Sequence, residues 1–256
     1  MGRMNNKIVF ITGASSGIGK ACAEAFASEN ANLILAARRV ERLLEIAKNL
    51  ENKYGVKTKT LELDVRNFNA VNKIIGSLGK EWNRIDVLIN NAGLARGFNK
   101  IYDGEVENWE EMIDTNLKGL LYVSRNILPG MVKRKKGHVI NIGSTAGHEV
   151  YPNGNVYCAT KFAVSALTKA IRMDCLEHKI KVSTVDPGMV ETEFSLVRFS
   201  GDKSRADKVY EGLSPLTAKD IADAVVYCAT RPSHVNINEI ILTPLAQASS
   251  THVIRK

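Results

Sequence analysis

Ile8-Val9-Phe10-Ile11-Thr12-Gly13-Ala14-Ser15-Ser16-Gly17-Ile18-Gly19 is the stretch that decides the fold. Its apolar lead reads as a buried strand, and the glycine-serine turn opens a helix running to about Ser28. Gly13 permits the tight turn, Gly17 lets the backbone approach a pyrophosphate, and Gly19 allows the helix to pack closely. The unpaired N–H groups at that helix start, with the positive end of its dipole, suit phosphate oxygens. The spacing is GxxxGxG rather than GxGxxG, so the position between strand and helix carries the reading. Gly13, Ser15, Ser16, Gly17, Ile18 and Gly19 form the candidate cofactor cradle.

Outward from this turn, short apolar runs alternate with longer amphipathic ones. Strands are expected at Leu33–Ala37, Leu61–Val65, Val87–Asn90, Val139–Ile142, Val182–Val185 and Glu239–Leu242, with helices at about Val40–Leu50 and Ala70–Leu78. Such alternation predicts an α/β fold: a doubly wound, mostly parallel sheet with helices on both faces. No linker, repeat or low-complexity tract breaks residues 1–256, which read as a single domain. The stretch at about 189–212, with Phe194, Arg198, Phe199 and Tyr210, departs from the alternation. It falls beyond a strand's carboxyl end, where open α/β sheets bind ligands, and reads as a substrate lid. A plain surface loop is the alternative.

The composition is that of an ordinary soluble chain, with 45% hydrophobic and 24% charged residues among 256. No apolar run reaches the roughly 18 residues of a membrane span, and Met1–Asn6 leads straight into the first strand without a secretory apolar core. The four cysteines, Cys22, Cys158, Cys175 and Cys228, have neither disulfide nor zinc-ligand spacing. A cytoplasmic location and no metal are expected. The net charge of +8 raises the question of nucleic acid. However, the one basic run, Lys133-Arg134-Lys135-Lys136, falls where a helix ends, and cations favour that end of the dipole. Neither a nucleic-acid nor a membrane partner is expected.

The end of the second strand selects the cofactor. A carboxylate there would take the ribose 2′-hydroxyl of NAD, whereas a cation suits the 2′-phosphate of NADP. The sequence supplies Ala37-Arg38-Arg39, without a carboxylate. Guanidinium forks match phosphate, and a cation pair at a helix start otherwise opposes the dipole. NADP is therefore expected. A solvated arginine pair is the alternative.

Tyr157 and Lys161 are four residues apart and share one helical face. An ammonium beside a phenol favours the phenolate and is expected to lower the tyrosine pKa. Ser144, 13 residues earlier (157 − 144), stands at a strand's carboxyl end, where its hydroxyl can polarise a carbonyl. A chance surface YxxxK is the alternative for the pair taken alone.

With these residues in place, the chain resembles the short-chain dehydrogenase/reductase superfamily from end to end. The carriers are TGASSGIG at 12–19, Asn90-Asn91-Ala92-Gly93, Asn116 within Asp114–Gly119, Ser144, Tyr157 with Lys161, and Pro187-Gly188. The resemblance implies an NAD(P)-dependent oxidoreductase with an Asn116, Ser144, Tyr157 and Lys161 tetrad. In it Tyr157 exchanges the proton, Lys161 depresses its pKa and binds the nicotinamide ribose, Ser144 holds the substrate oxygen, and Asn116 anchors a water. It also implies that Asp64 and Val65 contact adenine, that Asn91 contacts the cofactor, and that Pro187, Gly188 and Thr192 wrap the nicotinamide. A purely structural role stays open for Asn90 and Asn116.

Asn141–Gly147, Thr192-Glu193-Phe194-Ser195, Val197-Arg198-Phe199, Gly201-Asp202 and His234–Asn238 are similar to one branch, the NADP-dependent 3-hydroxy acid dehydrogenases. That branch implies hydride transfer between NADP(H) and a small-molecule 3-hydroxy acid such as L-serine or 3-hydroxypropionate. Its substrate carboxylate needs a cation, for which Arg198 is the candidate; an exposed lid arginine is the alternative. The competing functions are a broad NADPH-dependent reductase of aldehydes, ketones or diketones, and a nucleotide sensor without turnover. Relatives are commonly homotetramers, and Pro244-Leu245-Ala246-Gln247 is a segment that could reach a neighbouring subunit.

Overall fold

The computed structural model describes residues 2–256. In chain order, β1 (Ile8–Thr12), α1 (Gly17–Ser28), β2 (Asn32–Ala37), α2 (Val40–Tyr54), β3 (Thr58–Glu62) and α3 (Phe68–Gly76) make the first half. There follow β4 (Val87–Asn90), α4 (Val106–Ile113), α5 (Gly119–Arg134), β5 (Gly137–Ile142), α6 (Asn155–Asp174) and β6 (Ile180–Pro187). The chain ends with β7 (Val190–Glu191), α7 (Phe194–Arg198), α8 (Lys203–Lys208), β8 (Leu216–Thr217), α9 (Ala218–Ala229) and β9 (Glu239–Leu242).

Seven strands form a parallel sheet in the order β3-β2-β1-β4-β5-β6-β9. Strand alternation explains why the inner strands read as unbroken apolar runs. Val9 and Ile11 face a core built with α1, α2 and α9, whereas Ile8 and Phe10 face a second core built with α3, α5 and α6. Each large side chain buried this way contributes about 1.5–3 kcal/mol. The chain leaves β1 for β2 on one side and returns to β4 on the other. The carboxyl ends of β1 and β4 therefore border a crevice at the point where the order reverses.

The third strand departs from expectation. It spans Thr58–Glu62, three residues before the apolar run, and pairs Leu33↔Thr58 through Ala37↔Glu62. As a sheet edge it is partly exposed and accepts polar residues; Leu63 and Val65 are buried beyond its end. The stretch at 189–212 also differs from a plain loop. It carries two short helices, α7 and α8, and its β7 pairs with β8 in a separate two-stranded sheet. The basic run closes α5 as expected: Lys133 and Arg134 lie in its last turn, and Lys135 takes the left-handed cap. Arg134 donates Nη2 to the Ile85 carbonyl at 2.6 Å. Among the described residues no helix is long and apolar enough to cross a membrane.

Candidate active site

The carboxyl ends of the inner strands open into a cavity of about 630 Å³. Its wall includes Gly13, Ser15, Ser16, Gly17, Ile18, Arg38, Arg39, Asp64, Val65, Asn91, Ser144, Tyr157, Lys161, Pro187, Gly188, Thr192 and Arg198. Residues separated by up to 185 positions (198 − 13) thus meet at one site. Two of the expected residues, Gly19 and Asn116, lie behind the wall instead.

The turn after β1 shows why Gly19 is set back. Gly13 has φ +65°, and a Cβ on it would lie 2.8 Å from Asn91 Nδ2. A Cβ on Gly19 would lie 2.6 Å from the same nitrogen and run into the Gly13 carbonyl. Asn91 is correspondingly turned inward, donating Nδ2 to the Thr12 carbonyl at 2.9 Å and the Gly13 carbonyl at 3.3 Å. Thr12 Oγ1 in turn accepts from the N–H groups of Asn91 and Ala92, each at 2.9 Å. Asn91 thus shapes the cradle with its side chain while it borders the cavity.

Asn116 occupies a π-helical turn, Asp114–Lys118, inserted between α4 and α5. Such wider turns mark functional sites more often than chance. Here the amide Oδ1 accepts from Leu94 N at 2.8 Å, while Nδ2 donates to Leu94 O at 2.8 Å and Thr160 Oγ1 at 3.0 Å. Thr160 Oγ1 donates onward to the Tyr157 carbonyl at 2.8 Å. Both amide protons of Asn116 are thus committed to protein partners, and the side chain ties the segment after β4 to the helix carrying Tyr157. Asn90 has a similar structural duty, donating to Ser124 Oγ at 3.0 Å and Asn141 Oδ1 at 2.9 Å inside the sheet.

Tyr157 and Lys161 both lie on the buried face of α6. The Lys161 ammonium sits 5.9 Å from the Tyr157 ring centroid and donates to the Ile142 carbonyl at 2.9 Å. Burial lowers its pKa to about 8, with Asp186 pulling the other way. The expected lowering of the tyrosine pKa is not found. Burial raises Tyr157 above its ordinary range, and the opposing influences are the Arg198 guanidinium and a hydrogen bond with Ser144. Desolvation of the ring outweighs a cation whose own charge is engaged at the end of β5. Ser144 follows β5 as the cap of a single turn, Thr145–Gly147, and its Oγ accepts from Ala146 N at 3.1 Å.

Lys161 therefore sets a stability prediction. Its proton is held less tightly in the folded chain than at the ordinary 10.5, so folding gains stability as pH rises from about 8 toward 10.5 and carries a buried charge below that. Lys161→Met is expected to raise stability at pH 7 by about 1–2 kcal/mol, because the relieved charge outweighs the orphaned Ile142 carbonyl. Denaturant midpoints at pH 7 and pH 10 check it: the gain should shrink at the higher pH, and a loss at pH 7 would refute it.

The cofactor end is charged. Arg39 donates Nη2 to Ser16 Oγ at 2.8 Å and Nε to Ser15 Oγ at 3.4 Å, so its guanidinium lies across the glycine turn. Arg38 leans away, 3.9 Å from Glu111 Oε1. The Asp64 carboxylate is held by Arg66, with Nη2 to Oδ2 at 2.6 Å and Arg66 N to Oδ1 at 3.0 Å. Burial pushes Asp64 up, but these Arg66 contacts outweigh it and leave the carboxyl below its usual range. The glycine cradle, two serine hydroxyls and the arginine fork laid across them fit a dinucleotide bearing a 2′-phosphate.

The end of the cavity beside Tyr157 is an aromatic enclosure around one cation. The Arg198 guanidinium carbon lies 5.0 Å from the Tyr157 ring centroid, 5.4 Å from Phe194, and 5.8 Å from both Phe98 and Tyr151. Its Nη2 donates to Tyr151 OH at 2.7 Å, whereas its buried Nε–H has no partner. The Phe194 ring meets Tyr157 edge to face at 5.6 Å. Arg96 Nη1 donates to the Val197 carbonyl at 2.9 Å and Gly97 N to the Arg198 carbonyl at 3.1 Å, seating α7 on the segment after β4. The tail takes part as well. Gln247 Oε1 accepts from Met189 N at 2.9 Å, and Arg255 donates to the Glu211 and Val209 carbonyls at 2.6 and 3.0 Å.

Sequence reasoning missed Phe98, Tyr151, Arg96, Gln247 and Arg255. Each is placed by contacts distant in sequence, with no local spacing to mark it. Of the run Pro244–Gln247, Leu245 is fully exposed, whereas Gln247 is buried against Met189.

A family model described as short chain dehydrogenase matches residues 7–202. The chain is 46% identical over its whole length to an NADP-dependent 3-hydroxy acid dehydrogenase of Schizosaccharomyces pombe, of which 99% is covered. It is 42% identical to sulfoacetaldehyde reductase 2 of Chromohalobacter salexigens, covering 96% of this chain and 98% of that one. Among solved structures, the closed form of serine dehydrogenase complexed with NADP+ superposes with a TM-score of 0.91 at 43% identity, covering 97% of this chain and 99% of the other.

Proposed function

The chain belongs to the short chain dehydrogenase family, and from that premise we propose that it transfers a hydride reversibly between NADP(H) and a small 3-hydroxy acid. L-serine and 3-hydroxypropionate are the first substrates to try. Residues 1–256 act as one dinucleotide-binding and catalytic unit, with a lid at about 189–212. The observation that carries the substrate class is Arg198: a guanidinium enclosed by aromatic rings over Tyr157, with a buried N–H left unpaired. Arg198 lines the cavity, so its guanidinium calls for an anionic acceptor from the ligand. A carboxylate supplies it.

The chemistry of the relatives supports the same reading. A 3-hydroxy acid becomes a 3-oxo acid on oxidation, with its carboxylate one carbon from the carbonyl. Sulfoacetaldehyde places a sulfonate at the same remove. Both put an anion where a fixed cation beside Tyr157 can hold it.

When bound, the nicotinamide accepts or supplies the hydride. The residues do the rest. Ser144 and Tyr157 hold the substrate oxygen. Tyr157 takes the hydroxyl proton during oxidation and returns it to the carbonyl oxygen during reduction. Lys161, fixed at the end of β5, binds the nicotinamide ribose and keeps positive charge near the phenol. Asn116 acts by position, holding Leu94 and Thr160 of α6 together. Gly13, Ser15, Ser16, Gly17, Ile18 and Asn91 form the phosphate end, Arg39 with Arg38 takes the 2′-phosphate, and Asp64 and Val65 border the adenine. Pro187, Gly188 and Thr192 border the nicotinamide.

The test is a paired oxidation assay at alkaline pH, with L-serine and 3-hydroxypropionate against a neutral secondary alcohol, NADP and NAD in parallel. NADP-dependent turnover of the hydroxy acids is expected; turnover of the neutral alcohol alone would move the enzyme to the carbonyl reductases. Arg198→Ala should raise KM for the acids about tenfold or more, the worth of one charge-assisted hydrogen bond, and spare neutral ketones. An equal rise for both would assign Arg198 to lid packing.

The same reading extends to a cytoplasmic homotetramer. Four free, buried cysteines suit a reducing compartment. Tyr227 on α9, Ile241 on the edge strand β9 and Leu245 beyond it are exposed apolar side chains, which a second copy would shield from water. Light scattering coupled to size exclusion measures the assembly.

A further inference from the structure

Glu193 links the two ends of the cavity. It directly precedes α7, and its two carboxylate oxygens engage separate guanidiniums. Oε1 accepts from Arg42 Nη1 at 2.7 Å, and Oε2 accepts from Arg39 Nη1 at 3.0 Å. Arg39 is the same side chain that donates Nη2 to Ser16 Oγ at 2.8 Å across the glycine turn. The cation set after β2 is thus already held by an anion, and that anion belongs to the lid.

A carboxylate and a phosphate offer guanidinium the same fork of oxygens. We propose that Glu193 is an internal stand-in for the cofactor's 2′-phosphate, competing with it for Arg39 and Arg42, so that cofactor choice is coupled to the seating of the substrate lid. The inference rests on the NADP reading above. It adds Glu193 and Arg42 to the determinants of cofactor preference, neither of which the glycine turn or the arginine pair at 38–39 would single out.

Charge decides which anion wins. The two guanidiniums carry two positive charges and Glu193 one negative, whereas a phosphate monoester brings about −1.5 to −2 at pH 7 and three acceptor oxygens. Phosphate displaces the carboxylate from Arg39, because it brings more charge and more acceptor oxygens to the same fork. All three side chains are about half exposed, with relative accessibilities of 43–47%. Ion pairs of that exposure are weak, as an exchangeable contact must be. NAD carries a hydroxyl at that position and leaves Glu193 on its arginines.

Release of Glu193 reaches the substrate end through one short helix. Phe194, the next residue, lies against Tyr157 at 5.6 Å, and Arg198 closes the same helix. A Cβ on Gly17 would come within 3.4 Å of the Thr192 side chain, so the segment bearing Glu193 also overlies the phosphate cradle. The 2′-phosphate therefore acts on the element that positions the substrate cation, without touching substrate.

The probes are 2′,5′-ADP and 5′-AMP, which differ only at the 2′-phosphate and carry no nicotinamide to act on the lid directly. Glu193→Gln is expected to bind 2′,5′-ADP about threefold to tenfold more tightly than the parent chain by calorimetry, with AMP unchanged. Amide hydrogen exchange of residues 190–199 should rise in the parent chain with 2′,5′-ADP and stay unchanged with AMP. In the variant it should be raised before either is added. A variant that binds 2′,5′-ADP no better, or worse, overturns the proposal and makes Glu193 a brace for Arg39. If the parent chain binds the two probes equally, the NADP reading fails first, and the inference falls with it.

Discussion

Tyr157→Phe is expected to lower kcat by about 10³–10⁴ in both directions while NADPH affinity changes less than about threefold. Positioned proton transfer is worth roughly 10²–10⁴, and no other side chain on the cavity wall beside Ser144 offers a phenol at this point. Tyr151, another phenol on the cavity wall, is held by Arg198, from which its oxygen accepts at 2.7 Å, and burial pushes its pKa up to about 12. Phenylalanine preserves the edge-to-face contact with Phe194 and the ring under Arg198, so the variant isolates the hydroxyl. Steady-state rates with a 3-hydroxy acid and its oxo partner, beside a fluorescence titration with NADPH, read both quantities. Retention of a tenth of the parent kcat would sink the assignment.

The raised pKa of Tyr157 gives this result a direction. Burial keeps the phenol protonated at neutral pH, the form needed to donate to a carbonyl. Reduction should accordingly hold steady near neutrality, while oxidation, which needs the phenolate, should climb as pH rises. The positive charge of the oxidised nicotinamide would favour the phenolate and bring that climb to lower pH. Lys161 contributes from the end of β5, and its ammonium is itself favoured only below about pH 8. The oxidation limb thus reflects the pair together, and the phenylalanine variant should lose it.

What the sequence made legible was the local chemistry. The turn from Thr12 to Gly19 declares itself because a positive φ at Gly13 and the absence of a Cβ at Gly19 are both demands on residue type. Tyr157 and Lys161 declare themselves by helical spacing, and Ser144 by its place after an apolar strand. The inner strands were readable for the same reason, since burial on both faces forces continuous apolar runs. β3 was misplaced because an edge strand escapes that demand and its sequence, Thr58–Glu62, is mostly polar. Long-range pairing was illegible. Nothing near Glu193 announces Arg39, 154 residues away (193 − 39), and nothing near Arg198 announces Tyr151. Asn116 shows the intermediate case, a visible residue whose partners, Leu94 and Thr160, only the fold reveals. Tyr157 shows the converse: its neighbour was read correctly, but the desolvation that outweighs a neighbour depends on the whole lid.

Arg39→Ala should lower kcat/KM with NADPH about 100-fold and change the NADH value less than about threefold. The guanidinium stands across the glycine turn with hydrogen-bonding reach to Ser15 and Ser16, where a ribose 2′-substituent is read at the end of β2. Charge-assisted hydrogen bonds contribute about 1.5–3 kcal/mol, which is about 10- to 150-fold. Arg38 gives the internal comparison. It borders the same cavity but leans toward Glu111, so Arg38→Ala should cost NADPH less than Arg39→Ala does. Truncating Arg39 also removes one of the two anchors of Glu193 and leaves that carboxylate to Arg42. Negative charge then stands nearer the 2′-phosphate with less to offset it, so Glu193→Gln added to Arg39→Ala should recover part of the lost NADPH activity. Losses that match for NADPH and NADH would show that Arg39 serves the cradle through Ser16 rather than the phosphate. Recovery with NADPH but not NADH would place both residues in one electrostatic contest.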